Sequence, residues 1–168
     1  MCNDELHIAL LNQKEIEMTA ATIEREIRID APIEVVWDVV TNPTHIVNWF
    51  AEVATLDLRP GGVGSLTFTE HNHVSPLRVE TVDPPNVYSY RWSQPDGEEP
   101  TEENSMLVEF ILSEDQGVTT LRLVESGFAK NNWSEEKNQE YFDDHSNGWD
   151  FFVPRLASYA ATANVSAK

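Results

Sequence analysis

With 168 residues, 29 acidic against 11 basic side chains and a net charge of −18, the chain is one domain's length and strongly acidic. Its field repels phosphate backbones and anionic lipid, which disfavours nucleic-acid binding and docking on anionic membranes. Five Trp, seven Phe and four Tyr supply a core and argue against disorder, while the lone cysteine, Cys2, excludes an intrachain disulfide and fits a reduced cytoplasm.

Residues 1–21 read as an N-terminal appendage, with a short helix over 5–17. Asp4 and Glu5 stand where a secretory leader carries basic residues, and the apolar run from Ile8 to Leu11 is far short of the roughly 20 residues of a membrane span. The expectation is a soluble, cytoplasmic protein with no membrane insertion.

The domain proper is expected over 22–163, with 164–168 as a tail. Ile23, Ile27 and Ile29 share one parity, the mark of a half-buried strand, and Arg25 interrupts them. Asp30-Ala31-Pro32 reads as a helix start, with Asp30 as the capping carboxylate and proline in the first turn. Val36, Trp37 and Val40 then share a helix face up to Asn42-Pro43. A second short helix is expected over 44–49, closed by Trp49-Phe50.

From residue 52 the pattern is β. Strands are expected over 52–59, 65–71, 76–82, 87–93, 106–113 and 118–126. Turns fall at Pro60-Gly61-Gly62, at 83–86 and at Asp115-Gln116-Gly117. Tyr88, Tyr90 and Trp92 share one face, as do Met106, Val108, Phe110 and Leu112. Residues 94–104 form a loop with five carboxylates, read as a solvated hairpin end. Short strands at this spacing make an antiparallel meander. A long helix is expected over 134–163. Trp149, Phe152, Val153, Leu156 and Tyr159 or Ala160 form its apolar stripe, which must bury itself on the concave face of the sheet. Pro154 removes one helical hydrogen bond and is expected to kink that helix, widening one end of any cavity.

The run at 22–50, the Gly61-Gly62 turn, the strand at 83–92, the Ser-Gly-Phe at 126–128 and the helix at 145–159 occur in an order that resembles the activator of heat-shock-protein-90 ATPase homologue-like family. That family belongs to the START-like, birch-pollen-allergen-like (SRPBCC) superfamily. The resemblance implies an α+β helix-grip fold: a curved antiparallel sheet of about seven strands, in the order β-α-α-β6-α, wrapped round the C-terminal helix. It also implies a cavity between sheet and helix. Parity and helix spacing place Trp37, Trp49, Phe68, Tyr90, Trp92, Val108, Phe110, Leu121, Leu123, Trp149, Phe152, Val153 and Leu156 around that cavity. The same residues are those a filled core of this size would use.

Chemistry-bearing groups are few. Glu125 shares parity with Leu121 and Leu123, which turns it inward unless the strand has already ended; turned inward it is the one weak catalytic candidate, as a general acid or base. The Tyr88 and Tyr90 hydroxyls and Arg91 are further polar candidates for the cavity wall. His71 and His73 form a weak metal pair, for which Glu70, Asp144 or His145 would have to complete a site, since zinc needs three protein ligands. Asp143, Asp144 and His145 otherwise read as a solvated helix face. Neither a nucleophile elbow nor a phosphate loop is present: Gly61-Gly62-Val63-Gly64 reads as a turn. No cofactor is expected. The expected function is binding of a small hydrophobic or aromatic molecule without a strong catalytic signature. The alternatives are a co-chaperone that acts on a protein partner and stimulates its ATPase, as the family name implies, and an enzyme of the cyclase, aromatase or hydratase type.

Overall fold

The computed structural model describes residues 22–128 and 133–166; the appendage, Cys2 and the final two residues lie outside it. Strand β1 (Ile23–Ile29) leads into helices α1 (Ile33–Thr41) and α2 (Pro43–Ile46). Six strands follow: β2 (Val53–Leu56), β3 (Val63–Phe68), β4 (His73–Asp83), β5 (Val87–Trp92), β6 (Met106–Asp115) and β7 (Val118–Ser126). Helix α3 (Glu135–Ser166) ends the domain. The seven strands form one antiparallel sheet in the order β1-β7-β6-β5-β4-β3-β2. This is the helix-grip architecture. The sheet's inner face holds the core, and α3 lies across it against β1 and α1.

Local chemistry explains the elements. Gln116 and Gly117 both take positive φ, which suits the two-residue turn between β6 and β7. At the Gly61-Gly62 turn only Gly61 has positive φ; Gly62 is there for room, because a Cβ on it would lie 2.0 Å from the carbonyl oxygen of Asp57. A bulge in β4 between Val79 and Thr81 resets the parity, so the buried series Ser75, Leu77 and Val79 passes to Val82. Such a bulge bends its strand and increases the twist.

Three local expectations change. Asp30 does not cap α1: Pro32 is the N-cap residue, and the amide of Ile33 donates to Glu114 Oε1 at 2.8 Å. The cap comes from the end of β6, which local sequence cannot reveal. The second helix is shorter, because Asn42 caps it through the Thr44 amide and the chain turns after Ile46. The strand expected over 65–71 ends at Phe68, since residues 69–71 form a 3-10 turn and Asn72 adopts left-handed φ before β4 begins, so His71 and His73 fall at a turn between strands. Arg25 breaks the strand pattern for a reason: its Nε donates to Asp150 at 2.9 Å and its guanidinium reaches Ser146, tying β1 to α3. Helix α3 continues across Pro154 to Ser166.

Candidate functional site

The polar centre of the domain is Glu125. It lies on the inner face of β7, in a row that runs Ile23, Glu125, Val108, Tyr90 and Val79 across five strands. Its exposure is 0 %. A carboxylate there must be compensated by hydrogen bonds, because burial strips it of water. Three N–H groups provide this. Trp92 Nε1 donates to Oε2 at 2.7 Å and Trp149 Nε1 donates to Oε1 at 2.8 Å. His145 Nδ1 lies 2.8 Å and 2.9 Å from the two oxygens. The donors come from β5 and from two successive turns of α3. Glu125 therefore pins the helix to the sheet.

His145 is not on a solvated face, as its neighbours Asp143 and Asp144 suggested; its side chain is 11 % exposed. Phe128 packs edge-on against it, and Trp92 and Tyr141 lie beside it. Burial alone would lower the imidazole's pKa. The charge of Glu125, its hydrogen bond and the nearby Asp144 outweigh this and hold it above the ordinary histidine value. The Tyr90 hydroxyl is buried with no hydrogen-bond partner among the described residues. Burial, then Tyr88, then Glu125 push its pKa well up, so it stays a neutral phenol.

Beside this cluster opens a cavity of about 690 Å³. Phe50, Phe68, Trp92, Trp149 and Phe152 form its aromatic wall. Phe50 stacks on Trp149 at 5.3 Å and meets Phe68 and Phe152 edge-on, so the rings brace one another. His73, Ser75, Gln94, Lys137, Asp144 and His145 supply the polar wall. Gly148 also lines the cavity, and a Cβ placed on it would meet nothing within 4 Å.

Of the residues that parity placed at the cavity, Phe68, Trp92, Trp149 and Phe152 line it. Glu125 sits behind the wall, sealed by its own donors. Val108, Leu121, Leu123, Val153 and Leu156 are packed core. Trp49, Tyr90 and Phe110 border only a void of about 10 Å³, room for one water. Trp37 is half-buried and meets Tyr88 edge-on at 6.5 Å. Arg91 is on the opposite face of β5, paired with Glu80 at 3.4 Å. His73 is at the cavity rim, and among the described residues no three His, Cys, Asp or Glu side chains converge as a metal site. Pro154 lies beyond the last cavity residue of α3, Phe152.

Phe50, Lys137, Tyr141 and His145 were missed. A signal for the last two existed. His145 and Tyr141 lie four and eight residues before Trp149, on the upstream continuation of the stripe that marked the C-terminal half of α3.

A curved seven-stranded sheet closed by one long helix, with a cavity between them, defines a helix-grip domain of the START-like superfamily. The chain belongs to the family described as activator of Hsp90 ATPase homolog 1-like protein, whose model matches residues 30–161. Solved structures agree in fold. Protein MLL2253 from Mesorhizobium loti is 22% identical over 82% of this chain and 95% of its own, with a TM-score of 0.68. Protein BH1534 from Bacillus halodurans is 26% identical over 83% and 96%, with a TM-score of 0.64. The Aha1 dimer from Colwellia psychrerythraea is 17% identical over 85% and 98%, with a TM-score of 0.68. No curated protein matches this chain. Among the described residues no helix is long and apolar enough to cross a membrane.

Proposed function

We propose that this domain binds one small, flat, largely apolar molecule between its sheet and α3. The observation that carries the reading is the cavity itself: about 690 Å³ walled by five braced aromatic rings. Small-molecule sites are typically about 300–1,000 Å³, apolar in the main, with a few placed polar groups. Glu125 is not one of those groups. It is sealed from the cavity, so its part is to fix Trp92, Trp149 and His145 in place. An acid or base acting on a bound molecule would have to be His145 rather than Glu125.

Gly148 supplies a clean test. A leucine there would place its Cβ with nothing within 4 Å at a position that lines the cavity, and would gain about 1 kcal/mol of helix propensity. The probe is N-phenyl-1-naphthylamine, a neutral fluorophore that brightens in apolar sites. Wild type should bind it, with energy transfer from Trp92, Trp133 and Trp149, which line the cavity. Gly148→Leu should lose the signal while unfolding at the same denaturant concentration or higher. No binding by wild type, or equal binding by the variant, would overturn the reading. Native mass spectrometry of protein taken directly from cells would add the class of any natural ligand. A failed cavity test would make ATPase activation of a chaperone the activity to assay next.

A further inference from the structure

The cavity's polar group of interest is one nitrogen. Both Glu125 oxygens are acceptors, so the bond at His145 Nδ1 requires its proton on Nδ1. This settles what the other ring nitrogen can do. Nε2 has no hydrogen-bond partner among the described residues, and the small exposed part of the ring opens on the cavity that it lines. In a neutral ring Nε2 is a bare lone pair; in a protonated ring it is an N–H donor backed by the carboxylate behind it.

Resting on the cavity-binding reading above, we infer that the site selects a flat aromatic acid, whose anionic oxygen (carboxylate, sulfonate or phenolate) accepts a hydrogen bond from His145 Nε2. Three observations converge on this. Glu125 stabilises the imidazolium form, which places the positive charge at the cavity side of the pair. Lys137, whose Nζ stands 4.3 Å above the Trp133 ring, adds a second cation at the cavity mouth. The remaining wall is aromatic and matches a planar body. The groups that face the imidazole are Glu125 from β7, Asp144 and Tyr141 from α3, the Trp92 indole from β5 and the Phe128 ring that follows β7. Of the two carboxylates in the cavity wall, both on exposed residues, Asp96 is screened by water, whereas Asp144 lies close enough to His145 to add to Glu125 in favouring the imidazolium. A weak acid arriving protonated is handled by the same group: its O–H bond breaks, the proton forms the Nε2–H bond, and the resulting anion stays paired with the imidazolium. No other reactant is needed.

The His145 pKa, raised by Glu125, makes such binding proton-linked. Above that pKa an anion must draw a proton onto Nε2; below it the donor is already present.

The test compares two probes with one ring skeleton: neutral N-phenyl-1-naphthylamine and 8-anilinonaphthalene-1-sulfonate. A charge-assisted bond in a partly desolvated site is expected to favour the sulfonate by about tenfold to a hundredfold at pH about 6. The preference should fall to about twofold or less in His145→Gln and at a pH well above the raised histidine pKa, where the imidazole is neutral. Calorimetry of wild type in buffers of different ionisation enthalpy gives an answer that requires no variant. Sulfonate binding should take up protons as pH rises through the raised histidine pKa, and binding of the neutral probe should take up none. Equal affinity for the two probes, a preference that survives His145→Gln, or no proton uptake at any pH would each overturn the inference and leave the cavity reading standing. Failure of both probes to bind would remove the cavity reading itself.

Discussion

Replacing Glu125 by glutamine keeps the shape of the side chain and removes one acceptor. In the native site Trp92 Nε1 and Trp149 Nε1 sit on different carboxylate oxygens. A glutamine offers one oxygen and one NH2 group. Whichever way the amide turns, its NH2 faces an indole N–H, donor against donor. One buried indole is thus orphaned, which costs about 1–3 kcal/mol. The charge-assisted bond to His145 becomes a neutral one, or is lost if the ring adopts its other tautomer, which adds about 1 kcal/mol. The expected destabilisation is therefore about 2–4 kcal/mol, or roughly 10 °C in midpoint for a chain of this size. Urea unfolding followed by tryptophan fluorescence at neutral pH measures it. Glu125→Leu orphans all three donors and should cost more, about 3–5 kcal/mol. The exposed Glu140→Gln is the control and should stay within about 0.5 kcal/mol of wild type. If Glu125→Gln also stays within that margin, the three-donor cage does not hold the carboxylate, and the account of the site collapses.

The same cage sets a pH dependence. Because His145 has a raised pKa in the native state, its contribution to stability is complete below the unfolded value, about 6.5, and is lost as pH rises through the native value. Over that window the native state holds a proton the unfolded chain has released, so the free energy of unfolding falls with pH, by up to about 1.4 kcal/mol per unit. Denaturant titrations across pH about 6 to about 9 should show this slope in wild type and a flatter one in His145→Gln. At the other end of the domain, Glu114→Ala should cost about 1 kcal/mol by uncapping α1, whereas Asp30→Ala should cost nothing measurable; the reverse order would restore Asp30 as the cap.

What could be read in the sequence was what depends on period. Alternating residues in β5 and β6, the Gln116-Gly117 turn and the stripe at Trp149, Phe152, Val153 and Leu156 each declare their element locally, and their order made the helix-grip fold legible. The site was less so, because it rests on which neighbours a face meets. Parity turned Tyr90, Val108 and Phe110 inward correctly, yet an inward residue under the body of α3 becomes packed core, while one near the open end beside Gly148 lines the cavity. Distance along the strand decides between the two, and period carries no such information. Glu125 shows the same limit. Parity put it inside, but the three donors that make a carboxylate tolerable there come from β5 and α3, 33, 24 and 20 residues away in the chain.

That arrangement also explains why the two halves of α3 differ. Beyond Pro154, Leu156 and Ala160 are fully buried and the helix is held by packing. Before it, the inward residues include Asn138, Tyr141, His145 and Gly148, a poor apolar stripe for a helix that must stay docked. Fixed contacts replace the missing packing: Glu125 holds Trp149 and His145 from β7, and Arg25 holds Asp150 and Ser146 from β1. All four held residues lie within six positions, one face of a turn and a half around Gly148. A helix pinned by polar contacts at this point can stand off the sheet on its cavity side without peeling away. The space beside Gly148 is thus a consequence of how the helix is held, and the buried carboxylate is what allows the domain to keep both a docked helix and an open cavity.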